Sequence, residues 1–161
     1  MVFQTKYKKM VRLCVVAALF IMLLGTAFST YAAPDVLPGS VESTAAGIVT
    51  LKAPEQLFTS TTSRKLPISA TAPQGALVSV YRYNYATGYY HKITSGNVPL
   101  ESVVGSTMLF AGQVDLTSGM NKFLIRGAWD DSVYTVVKFD VNVLNEGFMD
   151  RIKGVINVIF S

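Results

Sequence analysis

Cysteine is almost absent from this chain. The single cysteine among 161 residues, Cys14, lies in an apolar stretch near the N-terminus. The sequence also contains no Asn-x-Ser/Thr acceptor for N-linked glycans. The rest of the chain therefore cannot be cross-linked by disulfides, and its stability must come from a hydrophobic core.

Net charge is also missing once the N-terminal stretch is set aside. The chain has 14 basic and 10 acidic residues, and residues 1–33 hold four of the basic ones and no acidic one. The remainder is therefore neutral, with its basic residues scattered apart from Arg64-Lys65. Proteins that bind DNA or RNA cluster Lys and Arg to displace counterions. We expect no nucleic-acid partner.

Groups that carry catalysis are scarce. His91 is the only histidine, and no serine-nucleophile motif or glycine-rich phosphate loop occurs. The pair Asp130-Asp131 is typical of a tight turn. A calcium site at this pair would need Asp115 or Asp140 close by. We expect no enzyme activity, no metal and no cofactor.

Residues 1–33 have the three parts of a secretory signal peptide. A basic segment at 6–12 precedes an apolar run at 13–24, and Thr30 and Ala32 supply small residues before a cleavage point after Ala32. The alternative is an uncleaved membrane anchor, for which the apolar run is short against the roughly 20 residues that a bilayer requires. We predict a secreted or cell-surface bacterial protein that contacts the membrane only if the leader is retained.

The remaining chain divides into three parts. Residues 34–47 are rich in Pro, Ser, Gly, Ala and Thr and indicate a linker. Residues 48–145 alternate short β-rich runs with turns, which predicts an all-β, antiparallel sandwich of about seven strands. The predicted strands are 48–52, 66–71, 76–85, 89–94, 107–116, 122–129 and 132–144.

Three motifs carry a resemblance to a known family. They are Ile-x-Ala-x-Ala-Pro-x-Gly at 68–75, Val-x-Val at 78–80 and Asp-Leu-x-x-Gly-x-Asn at 115–121. On these motifs, segments 61–83 and 110–129 resemble the two halves of the bacterial immunoglobulin-like modules of exported proteins. The resemblance implies an immunoglobulin-like sandwich, and such modules serve as spacers, adhesins and glycan binders.

Five tyrosines lie within ten residues. The two-residue alternation of a strand places the first three on one face, and the last two lie across a hairpin turn at 86–88. Three interpretations remain open: structural cross-strand pairing, a docking surface for the C-terminal tail, or an aromatic platform for a ligand. The five candidate ligand-binding residues are Tyr81, Tyr83, Tyr85, Tyr89 and Tyr90.

Residues 146–161 predict an amphipathic helix. Its apolar stripe consists of Phe148, Ile152, Val155, Ile156 and Ile159. Such a stripe docks on its own domain, pairs with a second copy in a homo-oligomer, or lies on a membrane surface. Because its basic residues are balanced by acidic ones, we favour the first two.

Together these patterns predict a non-catalytic module with an adhesion, binding or envelope-structural role. Its partner would be a protein or glycan of the cell envelope. The alternative is a carbohydrate-binding module that uses the tyrosine-rich strand face.

Overall fold

The computed structural model describes residues 31–96, 98–144 and Gly147. Residues 1–30 of the predicted leader lie outside them. So does the predicted C-terminal helix apart from Gly147, with Phe148, Ile152, Val155, Ile156 and Ile159. The described residues from Ala32 onward belong to one structural unit.

The elements of the described residues are twelve β-strands, which confirms the all-β prediction. The strands are β1 (Val36–Pro38), β2 (Thr50–Ala53), β3 (Phe58–Thr61), β4 (Lys65–Thr71), β5 (Leu77–Asn84), β6 (Tyr89–Lys92), β7 (Thr94–Ser95), β8 (Val98–Pro99), β9 (Glu101–Val103), β10 (Leu109–Asp115), β11 (Gly119–Ala128) and β12 (Tyr134–Val143). Each of the seven predicted strands has its counterpart. Five short ones, β1, β3, β7, β8 and β9, were not predicted. In the described part of the chain, no helix has the length and apolarity that crossing a membrane requires.

Two main sheets form the sandwich. The larger has seven strands in the order β1-β6-β5-β11-β12-β3, with β9 paired to β5 beside β6. The smaller has the order β10-β4-β2, and β7 and β8 form a separate ribbon. Every pairing is antiparallel except that of β12 with β3, which is parallel.

The main core lies between these sheets. Alternate residues of β5 and β11, such as Val78, Val80 and Phe123, face Ile68 and Phe110 of the smaller sheet. We call this face of the seven-stranded sheet its inner face. The sheet approaches the chain before β2 so closely that a Cβ on Gly127 would lie 2.6 Å from the Cβ of Val49. This close approach excludes a side chain at position 127.

A second apolar cluster covers part of the opposite, outer face of the larger sheet. Leu37 and Val41 pack there on Tyr81, Tyr90 and Leu124. Leu37 is directly opposite Tyr90 in the pairing of β1 with β6. We call residues 33–47 the N-terminal strap, because they begin beside β6 and reach β12.

The composition of residues 34–47 predicted a linker, whereas in the structure these residues pack on the larger sheet as part of the strap. After β1 the amide of Val41 donates to the carbonyl oxygen of Pro38 at 3.0 Å, which turns the chain. Ser43 and Thr44 then bond to β12, where the Val136 amide donates to Ser43 Oγ at 2.9 Å and the Tyr134 amide to Thr44 Oγ1 at 3.0 Å. Proline, glycine and short hydroxyl side chains are typical of flexible segments, but they also form turns and cap strand edges.

Candidate functional site

The five predicted tyrosines do not form one platform. Tyr81 and Tyr90 are 0% and 5% exposed, whereas Tyr85 and Tyr89 are 60% and 47% exposed. Tyr83 lies between them in exposure and is directly opposite Tyr90. Its ring meets that of Tyr85 at 90° and that of Tyr90 at 63°, so the rings are not coplanar.

The strap accounts for the two buried tyrosines. The Tyr81 hydroxyl donates to the carbonyl oxygen of Pro34 at 2.8 Å. Leu37 packs on Tyr90, and burial raises the pKa of the Tyr90 hydroxyl, with Asp140 adding to the rise. The geometry of Tyr81 and Tyr90 is therefore that of packing residues. The interpretation in which the C-terminal tail docks on these rings depends on residues outside the described part of the chain.

The hairpin of β5 and β6 carries a groove of about 560 Å³. We call it the hairpin groove. It is lined by Arg82, Tyr83, Asn84, Tyr85, Ala86, His91, Lys92, Ile93 and Thr94. Arg82 alternates with Val80 and so shares the inner face, and His91 is directly opposite Arg82. Tyr83 and Tyr85 also line the groove, but they alternate with Arg82, and their rings pack together on the outer face.

The Arg82 guanidinium is held in the fold by one hydrogen bond and one aromatic contact. One terminal nitrogen donates to the backbone carbonyl oxygen of Asp115, and the guanidinium lies 5.3 Å from the ring centroid of Phe123. Its Nε is buried and has no hydrogen-bond partner among the described residues. Burial lowers the pKa of Arg82, and the Asp115 carboxylate opposes that shift. The Arg82 guanidinium is therefore partly desolvated, with its Nε enclosed by the fold.

The turn of the hairpin is fixed by local hydrogen bonds. Asn84 Oδ1 accepts from the Ala86 amide at 2.9 Å, and the Gly88 amide donates to the Asn84 carbonyl oxygen at 2.9 Å. Gly88 has a φ of 76°, a conformation that favours glycine. His91 Nε2 lies 3.3 Å from the Thr87 hydroxyl. These bonds hold the polar rim of the hairpin groove in one arrangement.

Lys92 also lines the groove, but its ammonium group anchors the strap. Its side chain is 6% exposed and lies 3.1 Å from Asp35 and 3.2 Å from Glu101. It also donates to the carbonyl oxygen of Ala33 at 2.5 Å. The charge of Lys92 is thus compensated within the fold.

The aspartate pair at 130–131 forms a turn. Asp130 Oδ1 accepts from the Ser132 hydroxyl at 2.7 Å and from the amides of Ser132 and Val133 at 2.8 Å each. These bonds lower the pKa of Asp130, with the Ser132 hydroxyl as the largest cause. Asp131 lies 3.8 Å from Arg126. Over the described residues, no group of His, Cys, Asp and Glu is placed to hold a metal ion.

Sequence reasoning selected the tyrosines and missed Arg82, Asn84 and Thr94 as groove residues. The alternation along β5 was a usable signal, because it turns Arg82 and Asn84 away from the face of Tyr81 and Tyr83. The alternation does not show that the inner face is open at this end of β5.

Comparisons with known proteins leave the family unassigned. The chain matches no model of a protein family, and no curated protein matches it.

Proposed function

We propose that this chain is an exported, non-catalytic immunoglobulin-like module that binds a ligand of the cell envelope in the hairpin groove. The observation that carries the proposal is the hairpin groove of about 560 Å³, whose lining includes the partly exposed Arg82 and His91 and the exposed Tyr85. Pockets that combine aromatic surface with a few placed polar groups are the usual form of ligand sites. The described lining residues include His91 but no carboxylate or thiol to act with it, which favours recognition over catalysis.

The motifs of the family resemblance have structural roles that support the immunoglobulin-like class. In the first, the Ala76 amide donates to the Pro73 carbonyl oxygen at 3.1 Å, and Gly75 has a φ of 89°. In the last, the buried Asn121 donates to the Thr117 carbonyl oxygen at 2.7 Å. These residues shape the turns before β5 and β11. The motifs therefore have a structural role in the sandwich, and the proposed ligand site lies elsewhere, at the hairpin of β5 and β6.

A carbohydrate is the ligand class that the hairpin favours. The exposed ring of Tyr85 offers a flat apolar surface for the face of a sugar, while Asn84 and Thr94 offer polar groups for its hydroxyls. The ring of Tyr85 thus takes the place of the five-tyrosine platform, since Tyr89 is exposed as well but is not among the residues that line the groove. An adhesion role follows if the sugar belongs to a cell surface.

The test is a screen of residues 33–161 against a glycan array and cell-wall preparations. We expect binding that falls about tenfold in Tyr85→Ala, the loss of roughly 1.4 kcal/mol of aromatic contact. Phe58→Ala is the matched control, since Phe58 is 55% exposed against 60% for Tyr85 but lies on β3 at the opposite edge of the sheet. Absence of binding by the wild-type protein, or equal binding by Tyr85→Ala, would contradict the proposal.

A further inference from the structure

The smaller sheet ends in a long strand whose outer side is unpaired. Among the described residues, β10 pairs only with β4. It has seven residues, whereas β1, β2 and β3 at the other sheet ends have three or four, and β2 also shifts register between Leu51 and Ala53. Short or irregular end strands prevent other chains from adding to a sheet, and β10 has neither protection. We call the side of β10 that faces away from β4 the β10 edge.

Hydrogen bonds at the two ends of β10 show which of its residues face this edge. The Ala72 amide donates to the Met108 carbonyl oxygen at 3.1 Å, and the Leu116 amide donates to the Arg64 carbonyl oxygen at 2.8 Å. Along an antiparallel strand, residues that bond to the neighbouring strand alternate with residues whose backbone groups point away from it. The even-numbered residues of β10 therefore bond to β4, and the odd-numbered ones face the β10 edge.

Four residues face the β10 edge. The carbonyl oxygen of Asp115 accepts a hydrogen bond from Arg82 of the larger sheet, which agrees with its pointing away from β4. The backbone amides and carbonyls of Leu109, Ala111 and Gln113 have no hydrogen-bond partner among the described residues, and all three residues are exposed. The β10 edge therefore offers a row of backbone donors and acceptors to another strand.

We propose that β10 pairs with β10 of a second copy of this chain, antiparallel and centred on Ala111. In this register Ala111 faces Ala111 of the partner subunit, and Leu109 faces Gln113 of the partner subunit. Each facing pair exchanges both of its backbone hydrogen bonds, which joins the two smaller sheets into one continuous sheet. This inference goes beyond the proposed function and does not depend on it.

The sequence of the β10 edge is suited to pairing with itself. Residues 109–113 contain no charged residue and no proline, so the two-fold pairing sets no like charges opposite each other. Phe110, which packs in the main core, faces Gly112 of the partner subunit, where there is no side chain to clash. A two-fold contact uses the same surface on both copies and therefore closes as a dimer.

Sedimentation of residues 33–161 tests the inference over about 1 μM to about 1 mM, a range that includes weak association. We expect a dimer whose dissociation constant rises about fivefold or more in Ala111→Lys and in Ala111→Glu, because each variant sets like charges opposite each other on the axis. An equimolar mixture of the two variants should dimerise again, since lysine then faces glutamate. Thr50→Lys is the control, because Thr50 is exposed on β2 at the opposite edge of the same sheet.

A cysteine on the axis gives an independent measurement. Residues 33–161 contain no cysteine. Directly facing residues in a hydrogen-bonded antiparallel pair have Cα atoms about 5.5 Å apart, which lies within the range of a disulfide. Under mild oxidation Ala111→Cys should therefore form a covalent dimer about tenfold faster than Thr50→Cys, as electrophoresis without reductant measures.

Each outcome decides the inference. A wild-type protein that stays monomeric over the whole range, or a dimer that Ala111→Lys does not weaken, would overturn it. A mixture of Ala111→Lys and Ala111→Glu that dimerises no better than either variant alone would overturn the two-fold register. Urea midpoints establish that each variant is folded. If the charged variants are not, equal cross-linking of Ala111→Cys and Thr50→Cys overturns the inference by itself.

Discussion

Neighbouring side chains of β5 differ sharply in burial. Val80 and Tyr81 are both fully buried, one in the main core and one under the strap, whereas Tyr85 is exposed just beyond the strand. Between them, Arg82 has an apolar neighbour in Phe123 and a buried nitrogen facing no described acceptor. The same short segment therefore contains stabilising residues and the residues that we assign to ligand binding.

Val80→Asp and Tyr85→Ser should separate these two kinds of residue. Val80→Asp places a charge in the main core without a partner, and we expect it to lower the free energy of unfolding by more than about 4 kcal/mol. Tyr85→Ser alters an exposed side chain and should cost less than about 1 kcal/mol. Urea midpoints measure both. Similar large losses at the two sites would show that Tyr85 is covered in solution.

Asp130→Ala should destabilise the protein in a pH-dependent way. Hydrogen bonds from Ser132 and Val133 lower the pKa of Asp130 in the folded state below the unfolded value of about 3.9. The ionised carboxylate therefore stabilises the fold above that pH, and the contribution is lost as the pH falls through the lower, folded pKa. The gap in urea midpoint between wild type and Asp130→Ala should be largest near neutral pH and should narrow below about pH 4.

Asp130→Asn is the control for this effect. It retains an acceptor oxygen for the Ser132 amide but has no charge to lose, so its stability should vary less with pH in this range. A gap between wild type and Asp130→Ala that is the same at pH 7 and pH 3 would contradict the assignment.

At the scale of elements, the N-terminal strap is the part of the fold that changes the interpretation most. It pairs with β6, covers Tyr81 and bonds to β12. In doing so it closes the outer face of the sheet around Tyr90, and it leaves the hairpin groove and the exposed Tyr85 as the candidate site.

Leu37→Asp should release the strap while Val36→Asp should not. Leu37 is buried on Tyr90, whereas Val36, its neighbour in β1, is exposed. We expect Leu37→Asp to lower the free energy of unfolding by about 2–4 kcal/mol and Val36→Asp by less than about 1 kcal/mol. Hydrogen exchange should show faster exchange in β6 than in β11 for Leu37→Asp, since strap release is a local opening. Equal protection of β6 in both variants would mean that the strap adds nothing to the sheet.

At the scale of the whole molecule, the start of the strap coincides with the predicted cleavage point. Ala33 is buried and its carbonyl oxygen accepts from Lys92, whereas Ala32 is exposed. Removal of a leader after Ala32 would therefore leave the packed strap complete.

We expect the protein recovered from a bacterial culture to begin at Ala33. The expectation rests on the basic, apolar and small-residue order of residues 1–33. Mass spectrometry of secreted or surface-released protein identifies the first residue, and Ala32→Arg should block processing because the cleavage site requires a small side chain. Recovery of the full-length chain only in membranes would support a retained anchor instead.

Deletion of residues 146–161 tests the predicted helix. An apolar stripe of this kind is a liability unless something covers it, so we expect the deletion to raise the binding of a hydrophobic dye if the stripe docks on the domain. If the stripe joins two copies, the deletion should instead reduce the mass in solution to that of a monomer. Unchanged dye binding, mass and stability would contradict both forms of docking.

The sequence by itself determined seven of the twelve strands, the placement of Val78 and Val80 in the core, and the turns at 73–75 and 86–88. These features depend on local rules, namely the two-residue alternation of side chains and the backbone preferences of proline, glycine and asparagine. Only the tertiary structure decided that residues 33–47 form a strap, that Tyr81 and Tyr90 are covered, and that Arg82 faces an open groove. Each of these depends on contacts between residues far apart in the chain, such as Leu37 with Tyr90 and Arg82 with Asp115, which no local pattern of residues encodes.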